Sequence, residues 1–179
     1  MVHDITTRRV VTGHDADGKA IFVDDTVLTS LDPRNGQPQS GGFYGNSTIW
    51  KTVGIPSTVN APFTNLHGKP IGITEPDGVI CRVINFPPQG PVKDEFNIMH
   101  RTQSEDFGIV IEGEMELVLE GGNKTTLKKG DVVVQRGTNH QWINTSPNYC
   151  VMAFILVPSD KPVIEKTGEV LESTVFPSS

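Results

Sequence analysis

Cysteine is scarce in this 179-residue chain: only Cys81 and Cys150 occur, both in apolar, strand-like stretches. Two reduced core thiols are therefore expected rather than a disulfide framework, and with them a cytoplasmic protein. Basic runs are missing beyond Arg8-Arg9 and Lys128-Lys129, and the net charge is −6. That excludes the basic stripe on which nucleic-acid binding depends. No apolar run approaches the roughly 18 residues that span a bilayer, so no membrane partner is expected. The opening residues lack the cationic and then apolar regions of a signal peptide. Neither a Cys-x-x-Cys, a P-loop nor a Gly-x-Gly-x-x-Gly is present. Charged residues make up only 20%, which disfavours a disordered polyelectrolyte.

What the chain does have is turn formers, with 18 Gly and 13 Pro, and short apolar segments between them. Its length suits one domain with an appendage. Strands are expected around Arg8–Thr12 and Ala20–Val27, joined by the turn at Asp15–Gly18. Residues 31–78 show no sustained period, with one candidate strand at Ser47–Val53. From Gly78 the pattern sharpens. Strands are expected at Val79–Phe86, Phe107–Ile111, Met115–Leu119, Lys124–Leu127, Val132–Gln135, His140–Asn144 and Cys150–Val157. No convincing amphipathic helix interrupts them. Strands at about ten-residue spacing indicate an all-β sandwich or barrel. The expected organisation is an N-terminal arm and loop-rich extension over 1–78, a barrel over 79–160 and a tail over 161–179. The strands at 107–111 and 151–157 are apolar at nearly every position, so both of their faces should be covered. The N-terminal strands, a partner subunit or both would supply the second cover.

Three residues stand out as metal ligands: His100, Asp106 and His140. Side chains alternate along a strand. An extended 100–111 therefore puts His100, Thr102, Ser104 and Asp106 on one face and Glu105 on the other. Two imidazoles and a carboxylate meeting across a small barrel form a facial triad suited to Fe(II). Without a metal, a buried Asp106 should be protonated or paired. Thr102 shares the inward face and would orient substrate or satisfy a neighbour. Arg82 shares parity with Ile80, Ile84 and Phe86. It is either an interior carboxylate anchor or a structural ion-pair partner under the arm. Arg136 either lines the mouth beside the His140 loop or is exposed. Asn144 is expected to tie down a backbone turn.

The stretch His100-Arg-Thr102-Gln-Ser-Glu-Asp106, with Gly113 beyond it, resembles the first motif of the cupin superfamily. There Thr102 replaces the usual second His, and Asp106 stands where Glu is usual. The stretch Gly130-Asp-Val-Val-Val-Gln-Arg136-Gly137-Thr-Asn-His140-Gln-Trp-Ile-Asn144 resembles the second motif, with Arg136 in place of Pro and a loop one residue shorter. The resemblance covers about residues 80–157, to a subgroup of small single-domain cupins. It implies a jelly-roll barrel with an N-terminal strand and loop extension, commonly a homodimer. It also implies a divalent metal, iron first, with manganese or zinc as substitutes, in a site that has lost one usual ligand. The activity implied is metal-dependent decarboxylation, isomerisation or oxygenation of a small oxygenated acid, enol or aromatic, polyketide-like metabolite. The alternative is a small-molecule-binding barrel with a relict metal site.

Overall fold

The computed structural model describes residues 6–40, 43–88 and 99–175. Within them lie ten strands and no helix. They are β1 (Thr6–His14), β2 (Ala20–Thr29), β3 (Gly45–Lys51), β4 (Ile80–Phe86), β5 (Ser104–Glu112), β6 (Glu114–Leu119), β7 (Lys124–Lys128), β8 (Val132–Arg136), β9 (His140–Ile143) and β10 (Cys150–Pro158). Each strand expected from the sequence is present, and β5 starts earlier than its apolar run because Ser104 and Asp106 are already paired to β10.

The strands form three antiparallel sheets. A five-stranded sheet runs β3-β4-β10-β5-β8, a three-stranded sheet β7-β6-β9, and β1-β2 stand alone as a hairpin. The two larger sheets close a jelly-roll barrel over Val110, Met115, Leu117, Trp142, Cys150 and Met152, with Phe86, Val133 and Phe154 packed against them. These side chains come from alternate positions of each strand, as a sheet burying one face requires. Strand β3 lies within the 1–78 stretch and is hydrogen-bonded into the barrel sheet through β4. Between β5 and β6 the chain reverses at Gly113, where φ is +79° and an added Cβ would meet the Tyr149 carbonyl oxygen at 2.6 Å. Only glycine fits there.

The N-terminal hairpin is moored through one of its faces. Arg9 is buried, bonds Asp24 at 2.8 Å and Asn65 at 3.1 Å, and lies 5.1 Å over the Phe63 ring. Phe63 stacks on Trp50 of β3. Residues 30–39 cover the outer face of β3 and β4, where Asn85 donates to Ser30 Oγ at 2.8 Å and Gln39 donates to the Phe43 and Asn85 carbonyls. The tail doubles back as a clasp. Thr174 exchanges hydrogen bonds with the backbone of Arg101, whose side chain donates to the Glu172 and Gly137 carbonyls.

At the other end of the five-stranded sheet the outer face is exposed among the described residues. Phe107, Ile111, Val132 and Val134 are exposed there, so this chain's own N-terminal strands do not supply the second cover expected for 107–111.

Both cysteines are unpaired, as the sequence indicates. Burial, reinforced by the charge of Glu114, pushes the Cys150 thiol up to about 12. A thiol held neutral is a poor nucleophile. Alkylation of native protein at pH 7.5, read by peptide mass spectrometry, should therefore leave Cys150 unmodified until denaturant is added. Labelling of Cys150 at the rate of a free thiol would contradict the burial.

Candidate functional site

The site begins with a backbone contact. His100 precedes β5 and His140 opens β9, and the two residues exchange hydrogen bonds: His100 N–H to the His140 carbonyl at 2.8 Å and the reverse at 2.9 Å. This isolated antiparallel bridge sets the imidazoles side by side, with ring centroids 4.4 Å apart. The spacing is thus fixed by main chain rather than by side-chain packing alone.

His140 is buried, and its Nδ1 lies 2.9 Å from the Thr138 carbonyl. A carbonyl only accepts, so Nδ1 carries the proton and Nε2 keeps its lone pair. Burial, with the neighbouring His100 adding to it, holds the His140 pKa down to about 4. The ring is therefore a neutral donor at physiological pH, the form a metal requires.

Beyond His100 the buried side chains alternate along the chain. Thr102, Ser104 and Asp106 are all buried. Ser104 Oγ donates to Thr102 Oγ1 at 3.0 Å, and Thr102 Oγ1 donates to Asp106 Oδ2 at 3.2 Å. Asp106 Oδ1 is buried with no hydrogen-bond partner among the described residues. Such an orphaned carboxylate oxygen is costly. Burial raises the Asp106 pKa to about 6, against the pull of the Ser104 and Thr102 hydroxyls.

The register places Gln135 opposite Asp106. Its side chain is buried and donates to Thr138 Oγ1 at 2.6 Å. Gln135 is a site residue that the sequence reasoning passed over. The parity that put Asp106 inside would have found it, since Val133 and Gln135 share a face of β8.

Arg136 follows Gln135 and therefore faces the other way. Its side chain is 80% exposed, 4.0 Å from Glu105 on the outer surface. Of the two readings offered for Arg136, the structure gives the exposed one and does not bring this residue to the site. Arg82 is different. It pairs with Phe154 of β10, in the row adjoining Ile80–Leu156–Asp106, and so shares the interior face with Asp106. Its guanidinium donates to the Gly72 carbonyl, while its buried Nε has no partner among the described residues. Aromatic rings bridge the two ends. His140 meets Trp142 edge-on at 5.5 Å, Trp142 meets Phe154 at 5.6 Å, and Phe154 adjoins Arg82 in register. Asn144 is turned to the backbone. Its amide ties together the Phe86, Pro87 and Asn148 carbonyls.

These donors fit a divalent cation in kind: two imidazoles, one of them held in the metal-ready tautomer, and one orphaned carboxylate oxygen. They are not drawn together into a cage. Among the described residues, no three His, Cys, Asp or Glu side chains converge as an ion-holding group.

Comparison with known proteins adds family context. The model of the cupin domain matches residues 82–157. The phomopsin biosynthesis cluster protein C' of Diaporthe leptostromiformis is 35% identical over 170 residues, covering 93% of this chain and 85% of that protein. The cupin-domain-containing oxidoreductase virC of Hypocrea virens is 35% identical over 169 residues, 93% of this chain and 82% of that one. The cupin-domain-containing oxidoreductase srdB of Neurospora crassa is 34% identical over 161 residues, 87% and 75% of the respective chains.

Proposed function

The chain belongs to the cupin-domain family, and from that membership we propose that it is a metal-dependent oxidoreductase of small-molecule metabolism. Its substrate would be a small oxygenated acid, enol or aromatic metabolite. The observation that carries this reading is the pairing of the His100 and His140 imidazoles, together with a buried carboxylate, that of Asp106 on β5, one of whose oxygens is orphaned among the described residues. Oxidoreductase chemistry is supported by the names of relatives that align over nearly the whole chain.

His100 and His140 would hold the metal, iron first and manganese or zinc next, with Asp106 as the anionic donor. A divalent cation so held supplies Lewis acidity toward bound oxygen atoms and a route for electrons. The protein's own part is positioning. Thr138 and Gln135 fix the His140 ring. Thr102 and Ser104 hold one oxygen of Asp106, so the other points inward. Without the metal, the Asp106 carboxyl, with its pKa near 6, takes up a proton close to neutral pH, so loading the site would release that proton. Trp142 and Phe154 line the way with apolar surface that excludes water. Arg82, about 12 Å from Asp106 by strand spacing and rise, would take a substrate carboxylate at the far end.

The test is metal content by elemental mass spectrometry on untagged protein, beside the His100→Ala/His140→Ala double variant. Near-stoichiometric iron, manganese or zinc, reduced at least tenfold in the variant, is the expected result. No metal in either protein after incubation with Fe(II) would overturn it. That outcome would favour the second reading, a barrel that binds a small molecule without turnover, for which the unconverged third donor speaks.

Arg82→Gln separates anchor from scaffold. Affinity for a carboxylate probe such as phenylpyruvate, read by quenching of tryptophan fluorescence, should fall about tenfold or more. Affinity for the matching neutral ketone should not change.

A further inference from the structure

The inner face of β3 and β4 carries polar side chains that the imidazole site does not use. Residues paired across antiparallel strands share a face. The register sets Thr48 opposite Arg82 and Asn46 opposite Ile84, so Asn46 and Thr48 lie on the interior face with Arg82. Past the bulge between Thr48 and Trp50, Lys51 pairs with Ile80 on the same face. Its ammonium is committed, 3.1 Å from Glu75 and 3.2 Å from Asp77. The other Glu75 oxygen accepts from the Gly72 N–H, and the Gly72 carbonyl caps a terminal nitrogen of Arg82. Segment 72–77 thus holds both cations in place.

Two atoms in this polar row are left over. Arg82 Nε is a buried donor and Asn46 Oδ1 a buried acceptor, and neither has a hydrogen-bond partner among the described residues. Each is costly while unmade. A donor and an acceptor on one face could cancel that cost by bonding each other. They do not. The Asn46 amide nitrogen turns toward Thr48 Oγ1, at 3.5 Å. Diagonal neighbours on paired strands also stand about 7–8 Å apart. Thr48 adjoins both residues and is buried. Accepting from Asn46 leaves its hydroxyl proton to give.

We propose that Arg82, Thr48 and Asn46 form a head-group subsite for an acid whose second carbon carries a hydroxyl: a 2-hydroxy acid, or the enol of a 2-oxo acid. The proposal rests on the reading of Arg82 as the carboxylate anchor of a small-molecule site. Arg82 Nε and the Thr48 hydroxyl donate to the carboxylate, and Asn46 Oδ1 accepts from the ligand's hydroxyl. Two hydrogen bonds of about 2.8 Å take up most of the diagonal spacing, so the ligand's acceptor and donor belong on adjoining carbons. An acid without the hydroxyl leaves Asn46 Oδ1 buried and unmet. A site built to hydrogen-bond a hydroxyl rejects the analogue that lacks it.

The test is isothermal titration calorimetry of the full chain, as purified and after chelator treatment. The probes are phenyllactate, 3-phenylpropionate and 2-methoxy-3-phenylpropionate. All three share the carboxylate and the phenyl ring, and only phenyllactate donates from its second carbon. Its better-bound enantiomer is expected to bind at least about tenfold more tightly than either other acid. Asn46→Leu, similar in volume, should erase that preference by weakening phenyllactate alone, and Arg82→Gln should weaken all three. Circular dichroism and melting show that the variants keep the fold, and the comparison of acids on the wild type needs no variant. Chelation separates this subsite from the imidazoles, since a 2-hydroxy acid also grips a metal through two oxygens. A preference that persists without metal supports the subsite, whether or not the imidazoles hold an ion. A preference that vanishes with the metal places the hydroxyl at the imidazoles and overturns the proposal. Equal affinity of the wild type for the three acids, or binding of none, overturns it too, as does a preference that survives Asn46→Leu. Three affinities unchanged in Arg82→Gln overturn the anchor and the proposal with it.

Discussion

Asp106→Asn, in chelator-treated protein, is expected to remove a pH-linked contribution to stability of roughly 3 kcal/mol, which the Asp106 carboxyl by itself gives up as the pH rises from about 4 to 8. The ordinary Asp pKa is 3.8, and burial lifts that of Asp106 to about 6 in the folded state. The native protein therefore binds this proton more tightly than the unfolded chain does. The stability linked to it is fully present below pH 3.8 and is lost as the pH passes through about 6. His140 works in the opposite sense. Its pKa falls from 6.5 to about 4 on folding, chiefly by burial, so protonation favours the unfolded chain. The stability linked to it is present above pH 6.5 and is lost as the pH falls toward 4. In the wild type the two slopes nearly cancel between pH 4 and 6. With Asn at position 106 only the His140 slope remains, and stability should climb steeply over that interval. Urea midpoints at pH 4.5, 5.5, 6.5 and 7.5, taken at constant m-value, read this directly. Parallel curves for the two proteins would show that Asp106 keeps an ordinary pKa.

The second large effect lies away from the imidazoles. Asn144→Ala should destabilise the fold by about 3–4 kcal/mol, since it strands several buried backbone groups at once. The Asn144 amide donates to three carbonyls, those of Phe86, Pro87 and Asn148. Its oxygen accepts from the Ser146 N–H and hydroxyl, at 3.1 and 2.7 Å. The side chain is fully buried. It therefore joins the end of β4 to the turn before β10. Asn144→Asp keeps the accepting side and loses the donating one, setting a carboxylate against three carbonyls, so it should be no better than Ala. At this chain length the loss corresponds to a melting point lower by about 10 °C. Metal bound per folded molecule should not change. A loss of metal at unchanged melting temperature would instead make Asn144 part of the site.

Much of this architecture was legible because its signals are local. Alternation and turn residues delimited the strands, and β6 ends at Leu119 and β7 begins at Lys124 as expected. The same alternation put Thr102 and Asp106 on the inner face with Ser104. It also shows Gln135 inside and Arg136 outside. The expected strand stopped at Gln135, whereas β8 includes Arg136, and alternation then turns that side chain outward, the exposed one of its two readings. The exchange of backbone hydrogen bonds between His100 and His140 has no local signature. Neither does the fate of residues 31–78. Their anchors are long-range, Gln39 to the carbonyl of Asn85 and Asn65 to Arg9, and no periodicity encodes such contacts.

The clasp at Arg101 connects distant sequence to chemistry. Arg101 stands between His100 and Thr102, and it is held by Thr174, 73 residues onward, and by Glu172. Its side chain also grips Gly137, just before the His140 turn. The tail thus acts as a tensioning strap on both halves of the imidazole pair. Among related chains, divergence around 161–174 would retune the site without altering any residue in it. A chimera that joins one relative's barrel to another's tail would therefore be a variant at the site itself.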